Sequence, residues 1–136
     1  MNPSTLSLTV KNQILSLERP RILGILNLTT DSFYAPSRVG LTTTETVDRA
    51  GAMLRQGADI LDLGACSTRP GSTQVGPVEE EERIQAGLEA ILSAFPGALI
   101  SVDTYRASVA GTAIRYGAAM INDVSGGTLD PQMHPL

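Results

Sequence analysis

Tryptophan is absent from this 136-residue sequence, and cysteine and histidine occur once each. A lone Cys66 excludes an internal disulfide and any multi-cysteine metal cluster. No base stands near it in the sequence to activate the thiol. The single His134 lies near the chain end, and no Ser-His-Asp set or paired-carboxylate acid/base set emerges. Basic excess is missing too. Lys and Arg number 10 against 14 Asp and Glu, a net charge of −4, so the basic stripe of a nucleic-acid binder is not there. No apolar run approaches about 18 residues, and no basic segment precedes an apolar one at the N-terminus. Neither a membrane span nor a signal peptide is read, and a cytoplasmic protein is expected.

What remains is ordinary globular material. At this length one domain is expected, able to bury roughly two-thirds of its unfolded surface. Alternating residues over about 6–17 read as a β-hairpin. Residues 21–27 form a continuous apolar run, which suits a strand covered on both faces. A polar loop holding Asp31, Ser32 and Phe33 follows. Residues 42–57 read as a helix, with Thr42 and Glu45 as a capping box and Gly57 in the C′ position. Residues 59–64 are a second buried strand, opening into a loop with Ser67, Thr68, Arg69 and Pro70. Pro77 opens the next helix. The run Glu79 to Glu82 reads as a solvated face favoured by the helix dipole. A third strand is expected at 99–103, a helix at 105–116 closed by Gly117, and a fourth strand at 119–124.

This is a βαβαβαβ order after a hairpin, and right-handed crossovers then place the strands side by side and parallel. A faint internal echo supports a repeat: Arg55-Gln-Gly-Ala-Asp-Ile-Leu-Asp62 resembles Arg115-Tyr-Gly-Ala-Ala-Met-Ile-Asn122. It makes Asp62 and Asn122 equivalent. A (β/α)8 TIM barrel needs about 250 residues. The chain is therefore either a small open sheet or about the first four β/α units of such a barrel. The half-barrel is the expectation, as a truncated chain or a piece that associates, because an open half exposes strand edges.

Polar residues gather at strand C-terminal ends, where α/β folds place their chemistry. Asn27 offers a carbonyl to a hard cation or a donor, or else caps its strand. Asp31 and Ser32 can bind ions or make an Asx turn. Ser67, Thr68 and Arg69 offer hydroxyls and a rigid guanidinium fork suited to phosphate or carboxylate, or form a solvated turn. Asp103 and Asn122 can together grip the polar edge of a flat heterocycle such as a 2-amino-4-oxo pyrimidine ring. The bland alternatives are a helix N-cap for Asp103 and an interior hydrogen bond for Asn122. These residues bind and orient; none is an obvious nucleophile.

Four motifs then converge. Gly24-Ile-Leu-Asn-Leu-Thr-Thr-Asp-Ser-Phe33, Asp62-Leu-Gly-Ala-Cys-Ser-Thr-Arg-Pro-Gly71, Ser101-Val-Asp-Thr104 and Ile121-Asn-Asp-Val124 resemble dihydropteroate synthase, in that family's order and spacing. The resemblance implies a pterin-binding barrel. It implies joining of 4-aminobenzoate to 6-hydroxymethyl-7,8-dihydropterin diphosphate in folate synthesis, with diphosphate released and sulfonamides competing for the aminobenzoate site. It further implies Mg2+ at Asn27, diphosphate-substrate contact at Thr68, an aminobenzoate site shaped by Arg69 and Pro70, pterin contacts at Asp103 and Asn122, and a homodimer at full length. Positioning and electrostatics would supply most of the catalysis.

The sequence departs from the family's pattern at Thr30, which replaces a Pro, at Ala35, which replaces an acidic residue, and at Cys66, which replaces a Glu. They fall on loop closure and cation handling. The family's later pterin-binding and diphosphate-binding residues lie beyond these four units, so residues 1–136 alone are expected to have negligible synthase activity. Two other readings stay open: a methyltetrahydrofolate-binding corrinoid methyltransferase domain, and an inert or interaction-only homologue.

Overall fold

The computed structural model describes residues 6–28, 39–66 and 75–135. The first chain segment folds on itself: β1 (Ser7–Val10) and β2 (Gln13–Ser16) pair antiparallel, with Val10 opposite Gln13. Val10 is buried against Ile60 and Leu99, so the hairpin covers the start of the later strands. Asp59 fastens the join. Its carboxylate accepts hydrogen bonds from the Ile22 backbone N–H (2.9 Å) and from Arg21 (2.8 Å). Those two donors hold its pKa below the usual carboxylate range.

Three β-α steps follow. They comprise β3 (Leu23–Asn27), α1 (Val39–Arg55), β4 (Ile60–Gly64), α2 (Pro77–Ala94), β5 (Ile100–Asp103), α3 (Ala107–Arg115) and β6 (Met120–Asn122). The four strands form one sheet in the order β3-β4-β5-β6, all parallel. This is the expected sequential topology. Side chains alternate between the two faces of a strand. Leu26, Leu61, Leu63, Ile100 and Val102 share the face under the helices and pack with Ile84, Leu88, Ile91 and Val109. The opposite face carries Leu23, Ile25, Asn27, Asp62, Gly64, Ser101, Asp103, Met120 and Asn122. On it Leu23 and Ile25 are exposed.

The two Gly-Ala turns of the sequence echo are the same structure. Gly57 and Gly117 have φ of +104° and +100°, a region glycine enters at little cost. After α1, the Gly57 N–H donates to the Leu54 carbonyl and the Ala58 N–H to Met53; after α3, Gly117 donates to Ile114 and Ala118 to Ala113. Both are Schellman caps.

Three expectations need correction. Helix α1 already includes Val39, so Thr42 and Glu45 do not form its capping box. No proline within 39–55 stops the helix, and Glu45 pairs instead with Arg49 one turn on. The acidic run of α2 is not uniformly solvated. Glu79 pairs with Arg83, Glu81 accepts from the Thr112 hydroxyl, and Glu80 is 1% exposed. Helix α3 starts at Ala107 rather than 105, and its first N–H donates to the Asp130 carboxylate at 2.7 Å.

Candidate functional site

The sheet register brings the strand-end residues into one row. Asn27 lies beside Gly64, Gly64 beside Asp103, and Asp103 beside Asn122. All sit at the C-terminal ends of their strands, on the face away from the helices. The row is thus amide, gap, carboxylate, amide. Gly64 makes the gap. A methyl group on it would lie 3.5 Å from Asn27 Oδ1 and 3.9 Å from Asp103 Oδ2. Two oxygens therefore border one notch that the missing side chain keeps open.

Asp103 is half-buried there. Burial pushes its pKa up, and the like charges of Asp62, Glu80 and Asp123 add to the effect. A carboxyl raised in this way, at a strand end and free of helix capping, is a candidate functional position. The N-cap alternative for Asp103 is not realised, since Asp130 serves the first N–H of α3 and Thr104 Oγ1 accepts from the Arg106 N–H. The interior hydrogen bond of Asn122 is realised: its Nδ2 donates to Asp62 Oδ2 at 3.2 Å. That bond uses one end of the amide and leaves the other available.

The shell around the row is built by charge pairing. Glu80, on the first turn of α2, accepts from Thr104 Oγ1 at 2.8 Å and from Arg106. Thr104 directly follows Asp103, so this buried carboxylate anchors the end of β5 to α2. After β6, the Asp123 carboxylate collects the Ser125 N–H and hydroxyl and the Gly127 N–H, each at 2.8 Å. Burial pushes the Asp123 pKa upward, but these donors hold it below the usual range. The Ser-Gly-Gly loop is thereby wrapped around one carboxylate.

Mg2+ takes oxygen ligands and is often held by one or two protein groups together with substrate phosphates. The notch fits that use. It offers the Asn27 amide oxygen and the Asp103 carboxylate, both hard donors, beside space for further oxygens. Among the described residues no group of three or more His, Cys, Asp or Glu could hold a metal alone.

Of the residues singled out from the sequence, the structure brings together Asn27, Asp103 and Asn122. Asp31, Ser32, Phe33, Ser67, Thr68, Arg69 and Pro70 lie outside the described residues. Reading strand ends for polar side chains misses Gly64, whose contribution is an absence, and misses Glu80. It also misses the link from Asp62 to Asn122, although the internal echo pairs these same two positions.

The comparisons with known proteins agree with this fold. The family model described as pterin binding enzyme matches residues 23–136. The mitochondrial folate synthesis bifunctional protein of Arabidopsis thaliana is 44% identical over 118 residues, covering 85% of this chain and 21% of that protein. Dihydropteroate synthase of Staphylococcus haemolyticus is 40% identical over 117 residues, covering 86% and 43% respectively. Among solved structures, Xanthomonas albilineans dihydropteroate synthase with 4-aminobenzoic acid superposes with a TM-score of 0.80 at 36% identity, over 93% of this chain and 46% of that one. The Thermus thermophilus enzyme in complex with 4-aminobenzoate gives a TM-score of 0.74 at 42% identity, over 94% and 42%. The chain spans less than half the length of each. Its sheet corresponds to part of the barrel in these structures.

Proposed function

This chain belongs to the pterin binding enzyme family, and from that premise we propose that it supplies the pterin-gripping half of a dihydropteroate synthase. The observation that carries the reading is the row Asn27–Gly64–Asp103–Asn122 at the strand ends. A pterin presents ring N–H and amino donors along one flat edge. Asp103 accepts two such bonds, and Asn122 accepts a third through the oxygen that Asp62 leaves free.

The reaction joins 6-hydroxymethyl-7,8-dihydropterin diphosphate to 4-aminobenzoate. The C–O bond at the pterin methylene breaks, and diphosphate leaves with the electron pair. The aryl amine nitrogen forms the new C–N bond and gives up a proton. Asp103 and Asn122 hold the ring so that its methylene projects over the strand ends. The Gly64 notch admits the group attached there. Asn27, with Asp103 beside it, would hold Mg2+, which when bound neutralises charge on the diphosphate. Thr68 would contact the diphosphate substrate, Ser67 would face substrate beside it, and Arg69 and Pro70 would shape the aminobenzoate site. Asp31, Ser32 and Phe33 would belong to the first substrate loop. No protein nucleophile is needed, because orientation and charge stabilisation do the work.

The same reading carries a cytoplasmic homodimer at full length, with light scattering and cell fractionation as its checks. The main test is turnover. Purified full-length protein should form dihydropteroate and release diphosphate in equal amounts when given both substrates and Mg2+. A folded protein that forms no product with both substrates present would overturn the assignment.

A further inference from the structure

Among the described residues, Asp62 is the one acidic side chain on the interior face that no chemistry above uses. It sits in the middle of β4, 4% exposed, with Ile25 and Ser101 as its register neighbours. Its Oδ2 accepts the Asn122 amide, while its Oδ1 is covered and has no hydrogen-bond partner among the described residues. A carboxylate oxygen left in this state costs stability, on the order of 1–3 kcal/mol. Leucine or alanine would suit an interior position better on packing grounds alone. Groups that cost stability and persist beside a binding row are candidates for function.

The geometry explains the contact. In the hydrogen-bond rows Asp62 lies level with Ser101 and Met120, whereas Asn122 lies level with Gly64. The two are thus two residues out of row, on strands separated by β5. Barrel strands are staggered by about one residue each, and alternate strands fill one interior layer. Asp62 and Asn122 therefore face each other across a layer, which is why the sequence echo pairs them.

Resting on the pterin reading, we propose that Asp62 is a positioning residue that sets which end of the Asn122 amide the ligand meets. A carboxylate only accepts. The end of Asn122 that faces it must be the NH2 group, so the Oδ1 end turns to the pocket. Without Asp62 the two amide orientations become comparable, and half of them present a donor to a ligand edge that itself donates. Asp62 thereby selects for heterocycles with an N–H edge and against those with acceptors there.

The test is a double-mutant cycle in the full-length protein, read by calorimetric titration with 6-hydroxymethylpterin. Asp62→Ala should weaken pterin binding by about twofold, the factor by which the competent amide orientation is depleted. The same substitution in an Asn122→Ala background should leave the affinity unchanged, because the amide it orients is gone. Equal losses in both backgrounds, or none in either, overturn the proposal, since a purely structural Asp62 acts whatever stands at residue 122. Should Asp62→Ala not fold, Asp62→Asn runs the same cycle, with a smaller first loss because its amide can donate as well as accept. The Asn122 side-chain amide resonance gives a readout that needs no ligand. It should be displaced in the wild type and return toward the exposed-asparagine range in Asp62→Asn. If that signature is present and no pterin binds, the function assignment falls while the amide lock stands; if it is missing in the wild type, the lock itself falls.

Discussion

Removing the guanidinium of Arg106 strips Glu80 of its charged partner. Glu80 is 1% exposed and uses both carboxylate oxygens, one toward Thr104 Oγ1 at 2.8 Å and one toward Arg106. In Arg106→Ala the carboxylate stays where α2 puts it and retains only the hydroxyl. Breaking a buried ion pair from one side costs about 3–5 kcal/mol. The Arg106 side chain is 18% exposed, so solvent compensates in part, and about 3 kcal/mol is expected here. For a barrel of about 250 residues that corresponds to a fall in Tm of roughly 6–12 °C. The double variant Glu80→Leu with Arg106→Met should recover part of this, because no charge is left buried, although the Thr104 hydroxyl loses its acceptor. Differential scanning calorimetry of the single and double variants measures both. A Tm for Arg106→Ala within about 2 °C of wild type would refute the buried-pair account, as would a double variant as unstable as the single.

Gly64→Ala separates site from scaffold. The added methyl meets only ordinary contacts, the nearest at 3.5 Å, so stability should hold or rise by up to about 1 kcal/mol, while turnover falls at least about tenfold because the notch is filled. Asp103→Asn should raise stability at neutral pH. The native carboxyl binds its proton more tightly than the unfolded one, so the wild type loses stability as pH rises through the raised value. The two proteins should converge in acid below the ordinary carboxylate range, and urea titrations across pH would expose a constant or inverted difference. Gly117→Ala should destabilise by about 1–2 kcal/mol. Its φ is +100° and the new Cβ would sit 2.8 Å from Leu92 Cδ1, and a shift in the urea midpoint reports it.

Much of this architecture is legible along the chain. The apolar runs ending in Asn27, Gly64, Asp103 and Asn122 mark strands and their chemical ends together. Gly57 and Gly117 announce helix ends because few other residues enter a left-handed φ. The helix starts are harder to read. Thr42 and Glu45 match a capping box by spacing, yet the helix extends past them because local signals rank below continuous hydrogen bonding. Glu80 escapes the sequence for a related reason. An acidic first turn is favourable in water, and only Thr104 and Arg106, 24 and 26 residues further on, show that one of its members turns inward. At the site, Asn27, Asp103 and Asn122 are found from residue type and position. Gly64 is not, since a gap has no signal of its own. The Asp62–Asn122 bond is present in the internal echo, but its meaning needs the stagger of the strands.

Asp103 and Asn122 holding a pterin edge is the claim on which the rest depends. Isothermal titration of the full-length protein with 6-hydroxymethylpterin, beside Asp103→Ala, tests this most directly. Saturable binding is predicted for the wild type, with a Kd at least about a hundredfold weaker in the variant at unchanged fold, as expected when a charged hydrogen-bond acceptor is removed. A wild type that binds no pterin, or a variant that binds it equally well, would contradict the account.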